Sequence, residues 1–256
     1  VLPPWTLKTR SHSYTVEATP FAQGAICDLY ASRSAERLSV IKMPRSAEHN
    51  DRIEREAMIL RRLSAKGDKR FVAFVPNAYE LCRAIIASEE LTCLVIDPLD
   101  GFYTLAEVMR AYPGGIGPRE AAWMWRRLLI AIGFAHEVGV IHSNVEPHHV
   151  MIHPEKHGLV LVGWGGSVNV GEISDDGTPV HTTPLTDIRA ANNTMLSVLG
   201  DEAPQEMRAF SKGCHFSDRS AWELKEDYDI LLERLFGRRK FHPFTMPGPP
   251  ALNRKD

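Results

Sequence analysis

The feature that most constrains the fold of this 256-residue chain is a change of hydrophobic period at residues 97–98. Upstream, short β-like runs are separated by turn signals and interrupted by one stretch of helical spacing. Downstream, apolar residues recur three and four apart over long segments. The boundary is the run LTCLVI at 91–96 followed by Asp97-Pro98, a buried strand ended by a residue pair that cannot extend it. Strands first and helices afterwards indicate an α+β chain, with a small antiparallel sheet holding one helix and then a mostly helical unit. No period of roughly 20–50 residues recurs, which sets aside solenoids and propellers.

Residues 14–17 and 26–31 flank a turn at Gln23-Gly24, and LSVIK at 38–42 alternates as a strand up to Pro44. Ile53, Ala57, Leu60 and Leu63 then recur at helical spacing, ending near Lys66-Gly67. Pro118 after Gly117 opens a long helix whose face carries Trp125, Leu128, Leu129, Ile132 and His136, with Gly139 as a left-handed stop. Residues 150–152 and 159–162 read as a hairpin, and 185–199 as a helix stopped by Gly200. Ser220 and Glu223 make a capping box for a helix bearing Leu224, Tyr228, Leu231 and Leu235, closed by Gly237. The tail FHPFTMPGPPALNRKD, with four prolines, is expected to be extended and partly disordered, with Phe241 and Phe244 able to fold back on the helical unit.

Thirty basic against 32 acidic residues give a formal charge of −2, so no global field draws the chain to nucleic acid or a membrane surface. The basic clusters at 126–127 and 238–240 read as solvated helix faces and ends. The longest apolar run, LLIAIGF at 128–134, is far shorter than the roughly 20 residues of a membrane-spanning helix. Cys27, Cys82, Cys93 and Cys214 lack any metal-binding spacing, which suits a reducing, cytoplasmic setting. The chain opens on Val1, and Pro3-Pro4-Trp5 reads as a linker, so a piece of a longer protein is expected, with residues 1–16 as an extension.

Five segments follow one another in an order that carries chemistry. They are AQGAICDLY around Gly24, Val40-Ile41-Lys42, Glu56 on the first helix, HSNVEPHH at 142–149, and Gly163-Trp164-Gly165. Together with the strand-then-helix order they resemble the eukaryotic-type protein kinase fold over residues 17–236. The resemblance implies a bilobal molecule, with an N-lobe at 17–96, a shortened C-lobe at 97–236 and a Pro-rich tail at 237–256.

It also implies that the reactive side chains have been exchanged. Of the glycines in the phosphate-covering G-x-G-x-x-G only Gly24 remains, with Ala22 and Cys27 at the others, so backbone approach to phosphates is restricted. Lys42 and Glu56 match the phosphate-binding lysine and its carboxylate partner; Ile96, Asp97 and Leu99 would complete the cleft. In the catalytic loop H-R-D-L-x-x-x-N the base position is Asn144, which stays neutral and cannot accept a proton. The supporting lysine position is Glu146, the metal-binding asparagine position is His149, and the D-F-G aspartate position is Gly163.

Loss of one general base costs a factor of about 10²–10⁴ and would leave a slow enzyme. A Lys-to-Glu exchange changes the local charge by two units, each worth roughly 3 kcal/mol at about 5 Å and an effective dielectric near 20. A 10 μM nucleotide site is worth only about 7 kcal/mol in total. From Gly163 only 24 positions pass before Asp187, which resembles the aspartate opening the central C-lobe helix, and no A-P-E lies between. The resemblance therefore implies a pseudokinase: no catalytic residue, no metal, no cofactor beyond weak metal-independent nucleotide binding, and a role as a binding or regulatory module for a protein partner.

Other readings stand beside this one. Lys42 and Glu56 serve either to bind nucleotide or to tie strand to helix as an ion pair. An atypical nucleotide-using enzyme would keep them at work, for example in nucleotidyl transfer, with Glu146 and His149 as an acid/base or cation-binding pair. A small-molecule phosphotransferase would need the same two missing aspartates. His148, His149, His153 and His157 suggest zinc or exposed turn residues; Asp175 and Asp176 suggest a surface loop or a replacement metal ligand. Trp164 is expected to fill the space of the D-F-G phenylalanine, or to close the pocket. The runs LDGFYTLAEV, AAWMWRRLL, GFAHEVGVIH, HGLVLV and FHPFTMP are similar to bacterial and phage-borne kinase-like proteins in which such a domain can follow a J-domain. A chaperone link is implied where a J-domain precedes; this chain has no H-P-D of its own.

Overall fold

In the computed structural model, which describes residues 3–174, 178 and 180–253, the alternation upstream of residue 97 becomes one antiparallel sheet. Its strands are β1 (Trp5–Lys8), β2 (Ser13–Val16), β3 (Ala22–Gln23), β4 (Cys27–Arg33), β5 (Leu38–Pro44), β6 (Ala78–Ile86) and β7 (Glu89–Ile96). They lie in the order β1-β2-β4-β5-β7-β6, with β3 also on β4. Alternate residues feed two cores. Leu7, Tyr14, Val16, Ile41, Met43, Leu91, Cys93 and Val95 pack together on one face. Leu94 and Cys27 join the main core, to which helix α1 (Asn50–Lys66) contributes Ile53, Ala57, Leu60 and Leu63.

Residues 5–16, read from sequence as an extension, are a hairpin on this sheet. Leu7 pairs with Tyr14, and Thr15 with Arg33. Each strand has four residues with few inward side chains, too short a pattern to recognise beside Pro3-Pro4. Strand β6 carries no clear sequence signal, because Glu80 and Arg83 interrupt its apolar alternation.

Beyond β7 come β8 (Tyr103–Thr104), α2 (Leu105–Ala111), α3 (Pro118–Glu137), β9 (Val140–Ile141), β10 (Val150–His153), β11 (Gly158–Leu161), β12 (Val168–Asn169), α4 (Pro184–Val198), α5 (Gln205–Cys214) and α6 (Ala221–Phe236). Helix α3 is the axis of this unit. Nearly every residue from Ala121 to Ala135 is buried, Arg126 and Arg127 excepted, and the buried Trp125 donates its indole N–H to Asn192 of α4 at 2.9 Å. Gly139 takes φ +72° just past its end, the left-handed stop the sequence indicates. The α6 capping box is present, with the Ser220 side chain accepting from the Glu223 N–H.

The described part of the tail is docked. Phe244 is buried against Tyr112, whose hydroxyl donates to the Thr245 carbonyl at 2.5 Å, and the Tyr103 hydroxyl donates to that of Gly248 at 2.8 Å. No helix among the described residues is long and apolar enough to cross a membrane.

Candidate functional site

Strand β5 and helix α1 bring Lys42 and Glu56 together, with Nζ to Oε2 at 2.5 Å. Glu56 is 3% exposed and the lysine side chain 16%. Burial alone disfavours the ammonium, but the Glu56 carboxylate outweighs it and holds the Lys42 pKa above its ordinary value. Cys27 lies beside this pair; burial pushes its thiol up to about 11, so it carries no charge there. Gly24 sits in a tight exposed turn between β3 and β4, its N–H donating to the Cys27 carbonyl at 2.8 Å. Ile96 ends β7 opposite Val40. The Asp97 carboxylate accepts from the Tyr79 hydroxyl and, at 3.2 Å, from Asn77, while the Leu99 carbonyl accepts from the Phe102 N–H at 3.2 Å.

The loop 142–149 hangs from one buried carboxylate. Asp187, in the first turn of α4, accepts the backbone N–H of His142 at 2.7 Å and of Ser143 at 2.8 Å, and bonds His136 Nε2 at 2.9 Å. Ser143 turns the chain at φ +67°, an uncommon conformation for a residue with a side chain. His142 is fully buried. Its Nε2 donates to the Val162 carbonyl at 2.9 Å and its Nδ1 accepts the Asn144 N–H at 3.3 Å, which fixes one neutral tautomer. Burial drives its pKa down to about 4, so it does not act as an ordinary acid or base near neutrality.

Asn144 is exposed, and its amide reaches Glu146 Oε1 at 3.3 Å. His149 Nδ1 donates to the Asn144 carbonyl at 2.9 Å and lies 3.4 Å from Glu146 Oε1. The other edge of that imidazole faces Gly163. A Cβ on Gly163 would stand 2.5 Å from His149 Cδ2 and 2.7 Å from Nε2, and the glycine sits at φ +86°. Two independent constraints thus disfavour a side chain at 163, and one of them is the ring at 149.

Trp164 is fully buried in the main core, edge-on to His142 at 4.5 Å, with its indole N–H donating to Leu161 at 2.7 Å. The following segment is tied to α1. Arg55 bonds the Ser167 carbonyl and both oxygens of Glu172, and Arg62 bonds Asn169 at 2.6 Å. Although partial burial opposes its charge, Glu172 is held below the usual carboxylate range by the Asn169 N–H and Arg55.

The fold thus gathers Lys42 with Glu56, and Asn144 with Glu146, His149 and Gly163. It keeps His153 and His157 apart from them, and neither is the exposed turn residue expected. His153 is buried edge-on to Phe102, and His157 is buried between Trp123 and Phe241, because the hairpin turn that carries them folds against α3 and the tail. Asp175 and Asp176 lie outside the described residues. No group of three His, Cys, Asp or Glu placed to share a metal ion occurs among the described residues. The sequence marks Asp187 by its resemblance to the aspartate that opens the central C-lobe helix, but not its bonds to His136, His142 and Ser143, nor the Arg55–Glu172 latch; both join residues far apart in the chain, and no local pattern signals them.

No family profile matches the chain. A stretch of 43 residues, 17% of the chain, is 40% identical to casein kinase II subunit alpha' of Saccharomyces cerevisiae and spans 13% of that protein. The structure of vaccinia related kinase 3 superposes with a TM-score of 0.68 over 92% of this chain and 92% of that one, at 15% identity. The chain has a protein kinase-like fold. At this identity the likeness carries the α+β, two-part architecture and leaves the chemistry to the residues of the site.

Proposed function

We propose that this kinase-like domain is a pseudokinase, which binds a partner or regulates it and does not transfer phosphoryl groups. One observation carries the reading: the His149 imidazole fills the space beside Gly163, 2.5 Å from where a Cβ would begin. Mg²⁺ takes oxygen ligands in a tight octahedron. Here one ligand position has no side chain, and the other is an imidazole lodged against the first. The residues present do not fit the ion. Asn144, at the base position, is an amide engaged with Glu146.

The chain belongs with the bacterial and phage-borne kinase-like proteins, works in the cytoplasm, and takes a protein as its partner, with a chaperone link where a J-domain precedes it. Nucleotide, if held, is held weakly and without metal by Lys42, Glu56 and Gly24, under Ile96, Asp97 and Leu99. Melting temperature with ATP, ADP and adenosine, each with and without Mg²⁺ or Mn²⁺, tests this. A ligand at 100 times its dissociation constant adds about 2.7 kcal/mol, and the expected result is no shift, or a shift that the metal does not enlarge. A metal-dependent shift for ATP alone contradicts the proposal.

A second reading has its own observation, the Lys42–Glu56 pair at 2.5 Å. A kinase-like fold that keeps a lysine for phosphates could run nucleotidyl transfer, with the Glu146–His149 pair moving a proton. A mass increase of one nucleotidyl group on the protein after incubation with ATP would favour this over the first reading.

A further inference from the structure

A pocket of about 540 Å³ lies away from Lys42, between α3, the end of α6 and residues 237–242. Its size falls within the range of roughly 300–1,000 Å³ typical of small-molecule sites. Its walls are basic. Arg119 and Arg126 come from α3, and Arg238, Arg239 and Lys240 from the segment after α6. Two acids, Asp229 and Glu233, share the lining, and Asp229 is already taken by Arg126 at 2.5 Å and Lys225 at 2.6 Å. Among the described residues no carboxylate forms an ion pair with Arg119, Arg238, Arg239 or Lys240.

A basic run just after a helix is often explained by the negative end of the helix dipole. That account covers residues 238–240 and leaves out Arg119 and Arg126, which reach the same space from another element. It also leaves out the crowding. Neighbouring Arg127 is depressed in pKa first by burial and then by Arg239 and Arg126, and its Nε has no hydrogen-bond partner. Like charges gathered by tertiary folding, with too few acids to balance them, are stabilised by an anion brought from outside.

An aromatic column makes up another part of the lining. His157, at φ +50°, is stacked between Trp123 at 4.2 Å and Phe241 at 4.1 Å, and its Nε2 donates to the His242 carbonyl at 2.8 Å. This column pins the tail against the body of the protein and adds aromatic atoms to the pocket lining. The indole N–H of Trp123, buried in that wall, has no hydrogen-bond partner. Guanidinium groups bind phosphate oxygens in pairs, and an aromatic lining suits an apolar body.

We propose that this pocket binds a small molecule carrying two or more phosphates, held by Arg119, Arg238, Arg239 and Lys240, with its body against the Trp123–His157–Phe241 column. The probe is inorganic tripolyphosphate, titrated calorimetrically into the full chain at low salt, with sulfate at matched ionic strength as the control. Wild type is expected to bind one equivalent saturably. The doubly substituted Arg239→Ala/Lys240→Ala variant is expected to fold with a melting temperature no lower than wild type, since both side chains are exposed and their loss relieves like charge, and to bind at least about tenfold more weakly. No saturable heat up to about 5 mM, where even a weak millimolar site would show, overturns the proposal. So does equal binding by the double variant, or an equal response to sulfate.

Discussion

At the scale of single residues, positions 149 and 163 are coupled. Gly163 stands at φ +86° with the His149 ring in the place of its missing side chain. Gly163→Asp, which places a carboxylate beside the ring, should therefore cost about 2–3 kcal/mol, from left-handed backbone strain plus the clash. Adding His149→Asn removes the ring, so the double variant should be less destabilised than the sum of the singles by about 1 kcal/mol, as urea denaturation of the four proteins would reveal. His142 supplies a pH prediction. Its pKa is about 4 in the folded protein, below the ordinary value of a free histidine, so between about pH 6.5 and 4 the unfolded chain binds the extra proton. Stability from this group is complete above pH 6.5 and is lost as pH falls toward 4, by roughly 3 kcal/mol. The urea midpoint should fall over that window, and His142→Gln should flatten the fall. The Lys42–Glu56 pair behaves differently. Lys42→Ala leaves a buried carboxylate alone and should cost about 2–4 kcal/mol, more than the paired change Lys42→Met/Glu56→Leu; chemical denaturation compares them.

At the scale of elements, the latch between α1 and the segment after Trp164 sets the posture of the site. Arg55 holds Glu172 and the Ser167 carbonyl, and Arg62 holds Asn169, so α1 is fastened with Glu56 facing Lys42. Glu172→Ala should lower amide protection in the first half of α1 and destabilise the fold by about 1–2 kcal/mol, since both partners are partly exposed; hydrogen exchange reads the first effect. This latch was not legible in the sequence, because it joins residues more than a hundred positions apart and no local pattern links them. The elements that were legible are those with their own signals. Examples are α1 by the spacing of Ile53, Ala57, Leu60 and Leu63, α6 by Ser220 and Glu223, and the β10–β11 hairpin by its two apolar runs. Strands β1 and β6 and helices α2 and α5 went unread because each has a short or charge-interrupted pattern whose burial depends on distant partners. The same holds at the site. The residue types at 144, 146, 149 and 163 were readable, whereas the ring of His149 lying against Gly163 required the fold.

At the scale of the whole molecule, a kinase-like architecture stands on a continuous core built around α3, with a second core beneath the outer face of the sheet. The tail adds to that core through Phe244 and Tyr112. The central claim is that the exchanged loop leaves no Mg²⁺-dependent phosphoryl transfer. The direct measurement is incorporation of γ-phosphate from labelled ATP, into the protein itself and into a generic protein substrate, with Mg²⁺ or Mn²⁺, for wild type beside Lys42→Ala. The expected result is the same background for both proteins with either metal. Metal-dependent incorporation by wild type that Lys42→Ala abolishes would contradict the account.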